Sequence, residues 1–187
     1  HKGSEWLRDF TCGRPSVEVS FESRSGASRL VQCGNPMSKR AVMNPPKTVK
    51  LIPPRKPDDP KYGKGFYSVA IVDFDAPERA NPWDAEYLQW LVINLPGEKL
   101  LTGEIWKGGN ATNTDEAVLP DSLGDVIIPW QSPEPREETH RYGVWLFHQP
   151  KKMLPFHVPH KVLCDKVPKN DKRTKQWCKE QIKSGLK

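Results

Sequence analysis

Apolar positions along the chain fall into short runs of period two, separated by turn residues, and this pattern sets the expected elements. Val17, Val19 and Phe21 alternate with Glu18 and Ser20 in a strand from Ser16 to Phe21. After the Ser25-Gly26 turn a second run reaches Leu30, Val31 and Cys33, so a hairpin is expected. Thr48 to Ile52 reads as a third strand. The longest runs are Phe66 to Val72, FYSVAIV, and Tyr87 to Leu95, YLQWLVINL, with Asp73 and Asp75 standing where the first one stops. Short strands are expected at Leu100 to Trp106 and Val126 to Trp130, and a strong one at Tyr142 to Phe147, YGVWLF. Ser132-Pro133-Glu134-Pro135 reads as a rigid turn. Near the start, Trp6, Leu7 and Phe10 fit one or two helical turns. Beyond residue 150 the pattern changes. Phe156, Val158, Val162 and Leu163 fit an edge strand broken by Pro159, and Asp171 to Leu186 reads as an amphipathic helix. Cys178, Ile182 and Leu186 share one face of it, and Lys175, Lys179 and Lys183 form a stripe about 100° round the axis.

Composition agrees with a chain of short strands and fixed turns: 187 residues hold 19 prolines and seven tryptophans. That length suits one domain, residues 1–187, large enough to bury a core unaided, with a basic helical region over about 151–187. The net charge of +6 is concentrated at that end, where Lys151 to Lys187 carries +8 and the preceding residues sum to −2. Lys172, Lys175, Lys179 and Lys183 form either a solvated helix face or a surface for an anionic lipid, sulfated sugar or nucleic acid. No run approaches the roughly 18 apolar residues a membrane span requires, so none is expected, and a monomer is expected.

Cys12, Cys33, Cys164 and Cys178 suit two disulfides, with three pairings open to them. Cys12 and Cys33 flank the first hairpin and make the most natural bridge; Cys164 with Cys178 would close a 15-residue loop, worth about 3 kcal/mol in the chain-entropy estimate. Asn110-Ala111-Thr112 is a glycosylation sequon in a polar loop. The chain begins with His1, as a chain does after signal-peptide removal or with a tag remnant. Together these features favour a secreted, disulfide-bonded glycoprotein.

Catalytic patterns are sparse. No nucleophile elbow or phosphate-cradling glycine loop is present, since Gly63-Lys64-Gly65 and Gly108-Gly109 are isolated turns. Asp73 and Asp75, two residues apart, are not expected to work as a paired acid and base. Either aspartate alone could serve as a turn cap. His157, His160 and Cys164 offer only one arm of a metal site. The chain is therefore read as neither an enzyme nor a metalloprotein, and no cofactor is expected.

A resemblance adds to this reading. Asp73-Phe74-Asp75-Ala76-Pro77-Glu78-Arg79, Asn81-Pro82, Glu86 to Val92, and His140-Arg141-Tyr142 before an apolar strand resemble, in order and spacing, the two signature regions of the phosphatidylethanolamine-binding protein family. Asn44-Pro45-Pro46 extends the similarity, which covers roughly residues 17 to 150 well. The resemblance implies a mostly β fold, with a large central sheet flanked by a smaller one and a few peripheral helices. It also implies a cis bond before Pro77 and a non-catalytic pocket for a small anion or phospholipid headgroup. Mapped by motif, that pocket is lined by Asp73, Asp75, Gln89, Pro133, Pro135, His140 and Tyr142. Relatives also act on kinases or serine proteases, so an inhibitory protein with a protease-type or kinase-type partner is the alternative. A scaffold role in a nucleic-acid assembly, suggested by the basic C-terminal region, is a second.

Three departures bear on the chemistry. Phe74 stands where the family motif has proline, and Gln89 where it has histidine. Arg136, Glu137 and Glu138 occupy a turn in which many relatives carry small residues. A glutamine amide offers neutral donors only, so phosphate binding is expected to weaken by roughly 1 to 2 kcal/mol, about tenfold.

Overall fold

The computed structural model describes residues 16–23, 25–53, 60–82, 84–106, 122–135 and 139–153. Seven strands are found among them: β1 (Val17–Glu22), β2 (Ser28–Leu30), β3 (Thr48–Leu51), β4 (Phe66–Asp73), β5 (Tyr87–Pro96), β6 (Asp125–Ile128) and β7 (Tyr142–Gln149). A 3-10 turn at Lys39–Val42 and a six-residue helix, α1 (Gly97–Thr102), complete the described elements. The fold is mostly β, as expected. A three-stranded antiparallel sheet has the order β2-β1-β3, and a four-stranded antiparallel sheet has the order β6-β5-β4-β7.

The period-two pattern explains which face of each strand is buried. Val19 and Phe21 of β1, Val49 and Leu51 of β3, and Tyr67, Val69 and Ile71 of β4 all enter one hydrophobic cluster. On β5 the parity changes midway, since Trp90 and Val92 belong to that cluster and then Leu95 does. A register shift between Tyr67 and Val69 of β4 accounts for it, because β5 holds one more residue there than its partner. Asn94 lies in this bulge with φ 60, a left-handed conformation that asparagine tolerates better than most residues.

Asn94 is also the centre of a buried polar network. Its main-chain N–H donates to Gln149 Oε1 (3.0 Å), and its amide donates to Asp125 Oδ2 (2.6 Å) and the Met153 carbonyl (2.8 Å). Its Oδ1 accepts from the Met153 N–H (2.8 Å) and Gln149 Nε2 (3.3 Å). Ser68 donates to Gln149 Oε1 (2.8 Å), so β4, β5, β6 and the end of β7 are joined by side chains as well as by the ladder.

Tryptophans knit the core together. Trp130 packs 5.5 Å from Phe21 and 6.3 Å from Trp90, and Trp90 lies 6.4 Å from Trp106, all as ring-centroid separations. The indole N–H groups of Trp106 and Trp130 find acceptors on one segment. Trp106 donates to the Pro46 carbonyl (2.9 Å) and Trp130 to the Met43 carbonyl (3.1 Å), so Asn44-Pro45-Pro46 is held against the core by the residues it covers.

The expected strand at Leu100 to Trp106 is a correction. Residues 97–102 form α1, closed by Gly103 at φ 86, whose N–H donates to the Lys99 carbonyl; Trp106 makes only an isolated bridge to Ser122. The reason lies in the sequence: Thr102 and Glu104 are exposed, so no alternation reaches Trp106, whereas Glu98, Lys99, Leu100 and Leu101 are good helix formers that bury Leu100 alone. Cys33 is disulfide-bonded. The other three cysteines and both expected pairings lie outside the described residues. So do the N-terminal turns at Trp6, the sequon at Asn110, the residues from Phe156 to Leu163 and the helix from Asp171 to Leu186. The chain divides into compact units His1–Met153 and Leu154–Lys187, the second entirely outside the described residues.

Candidate functional site

The site forms where β4 ends. Asp73 is its last residue and is flanked across the sheet by Tyr142 of β7 and Tyr87 of β5. Beyond Asp73 the chain bends, and the Asp75 N–H donates back to Asp73 Oδ1 (2.8 Å). This is the local turn cap open to an aspartate at that position. Past this bend the two carboxylates meet consecutive residues, Asp73 bonding His140 and Asp75 bonding Arg141. His140 Nδ1 lies 2.8 Å from Asp73 Oδ2, the two side chains being 4% and 7% exposed. Its ring stacks on Tyr142 at 6.4 Å and 27°.

Asp75 is fully buried and holds Arg141 in a fork. Nε donates at 2.9 and 3.3 Å and Nη2 at 2.6 Å, while the Arg141 main-chain N–H adds a fourth bond at 2.8 Å. Burial alone would push the Asp75 carboxyl up. The hydrogen bonds from Arg141 and its charge outweigh burial and hold the pKa below the ordinary carboxylate value, and the same pairing pushes Arg141 up. The Phe74 N–H donates to the Arg141 carbonyl (3.0 Å), extending the pairing past β4. Phe74 itself is buried against Gly143, where a Cβ would stand 2.6 Å from its ring carbons. The phenylalanine that replaces the motif proline is therefore accommodated by a glycine on the neighbouring strand.

Tyr142 completes the cluster. Its hydroxyl is buried beside the Asp73 carboxylate, which it feels through both charge and hydrogen bonding. Burial first, then the Asp73 and Asp75 carboxylates, raise its pKa well above the ordinary tyrosine value, so the phenol stays protonated.

Gln89 is buried on β5 but is engaged elsewhere. Val72 faces Leu88 and Ile71 faces Trp90, so Gln89 is the extra residue of a second bulge. Its Nε2 donates to the Gln131 carbonyl (2.9 Å), its own carbonyl accepts from the Gln131 N–H (3.1 Å), and the Tyr87 hydroxyl bonds to Gln131 Oε1. Residue 131 is thus stitched to β5 at the head of the Ser132–Pro135 segment, in which Pro133 is buried and Pro135 half-buried. The peptide before Pro77 is cis, as the resemblance implies, and a second cis bond precedes Glu86.

Of the residues expected to line a pocket, Asp73, Asp75, His140 and Tyr142 come together, while Gln89 is tied to Gln131. Arg141 and Gln131 were not among the expected site residues. Arg141 had a legible signal, since two adjacent motif aspartates need two cationic or donor partners and His140 supplies one. Gln131 had none, because its role depends on a long-range approach. Arg136, Glu137 and Glu138, and the histidines at 157 and 160, lie outside the described residues. Among the described residues no group of three His, Cys, Asp or Glu side chains is placed to hold a metal ion.

The protein is mostly β, with two aspartates, a histidine and an arginine clustered at the end of its four-stranded sheet. The profile of the phosphatidylethanolamine-binding protein family matches residues 28–182, most of the chain, and the chain belongs to that family. Among curated proteins it is similar to Protein TWIN SISTER of FT of Arabidopsis thaliana, 31% identical over 86 residues, 46% of this chain and 38% of that one. It is also similar to Protein FLOWERING LOCUS T of the same plant, 29% identical over 86 residues with the same coverage. A shorter likeness, 42% over 41 residues, joins it to Putative odorant-binding protein A5 of Drosophila melanogaster, covering 22% of this chain and 20% of that one. Each match spans less than two fifths of the relative's own length.

Proposed function

We propose that this chain is a secreted, non-catalytic binding protein that keeps a degenerate form of the family's headgroup pocket, lined by Asp73, Asp75, Gln89, Pro133, Pro135, His140 and Tyr142. Its ligand is a small anion or a phospholipid headgroup, bound weakly. The observation that carries the reading is the convergence of both motif aspartates on His140 and Arg141 in one buried cluster at the end of β4. Family membership supports a binding role, and the name of the Drosophila relative, Putative odorant-binding protein A5, is in keeping with one. The engagement of Gln89 by Gln131 supports the degenerate character, because the position that holds a histidine in relatives is occupied with a structural bond. The Cys33 disulfide and the Asn110 sequon support secretion.

Calorimetry with phosphoethanolamine tests the reading. Wild type is expected to bind about tenfold more weakly than Gln89→His, in line with the lost charge-assisted bond. No heat from either protein sinks it. Mass spectrometry of protein from the source fluid is expected to find a glycan on Asn110 and no free thiol.

A second reading, an inhibitory or interaction protein with a protease-type or kinase-type partner, is favoured by one observation. The site's two carboxylates are paired within the cluster and shielded from solvent, which leaves the outer surface for a partner. A pull-down from the source fluid followed by protease and kinase assays separates the two readings, and a clean monomer without inhibition counts against this one.

A further inference from the structure

We propose that Lys151-Lys152 is a processing site, where a serine endoprotease with an acidic specificity pocket cuts the peptide bond to Met153 and Asn94 restrains the cut. The proposal does not use the pocket reading. Its ground is a contrast between the two adjacent pairs of basic residues found among the described ones. Lys39-Arg40 is exposed but lies in a 3-10 turn. Ala41 and Val42 after it are buried, and the Ala41 N–H donates to the Ser38 carbonyl (2.9 Å) and hydroxyl (3.3 Å), so the bond between Arg40 and Ala41 is closed inside a capped turn. Lys151-Lys152 comes just after β7, and Pro150, Lys151, Lys152 and Met153 are all exposed and outside regular structure. Among the described residues no hydrogen bond or ion pair holds either lysine. Exposed, unbonded backbone of this kind is where endoproteases nick a folded chain, and a lysine ammonium suits an acidic pocket.

The place of the bond gives the cut a consequence. The first compact unit ends at Met153, so the bond joins the last two residues of that unit. Hydrolysis adds water across it: the oxygen goes to the Lys152 carbonyl carbon, which becomes a carboxylate, and Met153 leaves as an amine that takes up the proton the acid gives up. Residues 153–187 hold nine Lys or Arg against three acids, whereas residues 1–152 hold twenty of each. One cut therefore divides the chain into a neutral body and a basic peptide that carries all of the +6 net charge. Met153, on the far side of the bond, is held. Its N–H donates to Asn94 Oδ1 and its carbonyl accepts from Asn94 Nδ2, both at 2.8 Å, within the buried network of Gln149 and Asp125. A protease must grip extended chain on both sides of the bond, so cutting waits for these two bonds to open and its rate follows the population of that local opening.

The test is limited trypsin digestion of the full disulfide-bonded chain, read by intact mass after reduction so that no bridge hides a cut. Cleavage at Lys151-Lys152 is expected to run about tenfold or more faster than cleavage after Arg40. Lys151→Gln combined with Lys152→Gln is expected to remove the first cut and leave the second unchanged. In Asn94→Gly the ratio of the Lys152 cut to the Arg40 cut is expected to rise about tenfold, since global loosening alone raises both. Protein from the source fluid is expected to include a form ending at Lys152. The proposal is overturned by a bond to Met153 that outlasts the bond after Arg40, by an unmoved ratio in folded Asn94→Gly, or by source protein with no such form. Should Asn94→Gly fail to fold, amide exchange of the wild-type chain decides: a Met153 N–H that opens only with global unfolding overturns the proposal, and one that opens locally supports it.

Discussion

Asp75 has no exposed surface, and its four bonds come from Arg141, the residue just before β7. That arrangement makes Arg141 the side chain whose loss should be felt most. Arg141→Ala leaves a buried carboxylate without its cation, and breaking a buried pair costs about 3 to 5 kcal/mol. The guanidinium here is 32% exposed, so the expectation is scaled down to about 2 to 4 kcal/mol at neutral pH. The sign of the pH dependence follows from the lowered pKa of Asp75. Stabilisation by the pair is fully present above the ordinary carboxylate value of about 4 and is lost as pH falls through the lowered folded-state value. Urea unfolding of wild type and Arg141→Ala should therefore show a stability gap that narrows in acid. A gap that is constant with pH would mean that the fork with Asp75 is not its origin. Asp73, Asp75, His140 and Tyr142 were legible because they sit in a motif with fixed order. The internal use of each charge was not legible, since it depends on the bend at Phe74 and on the glycine at 143 that makes room for that ring.

At the scale of elements, β5 departs most from a simple strand. Its apolar run is legible as buried, but its two bulges are not, because a continuous run of Leu, Val, Ile and Leu carries no alternation from which to read a change of parity. One bulge commits Gln89 to the Gln131 segment, and the other gives Asn94 its positive φ and its grip on Met153. The two contributions of Asn94 can be separated. Asn94→Gly and Asn94→Ala both remove the side-chain bonds and leave buried partners unsatisfied, at about 1 to 3 kcal/mol. Alanine pays about a further 1 to 2 kcal/mol to hold a left-handed backbone. Urea denaturation should rank wild type above glycine above alanine. Amide exchange at Met153, whose N–H donates to Asn94 Oδ1, should accelerate in both variants. Equal stability of the two variants would show that the bulge relaxes and that φ is not fixed by the fold. The segment at 100–106 shows the same from the other side: its apolar residues do not alternate, and α1 buries Leu100 with about one turn and a half of helix.

For the molecule as a whole, the two-sheet arrangement was legible because β1, β3, β4 and β7 keep period two and each turns one face to a single cluster. The sealing of that cluster was harder to see. Residues 43–46 carry two prolines and no strand, yet their carbonyls take both indole donors, which ties the segment to Trp106 and Trp130 at the core. The two bonds differ in environment, and this yields an ordered prediction. Pro46 is fully buried, so Trp106→Phe strands its carbonyl away from water, at about 1 to 3 kcal/mol besides any loss of packing. Met43 is 38% exposed, so in Trp130→Phe its carbonyl is rehydrated while the ring keeps its place beside Phe21 and Trp90, at about 0.5 to 1.5 kcal/mol. Denaturant midpoints should fall further for Trp106→Phe than for Trp130→Phe. The reverse order would mean that packing around Trp130, at the junction of the two sheets, outweighs the buried carbonyl as the feature that closes the core.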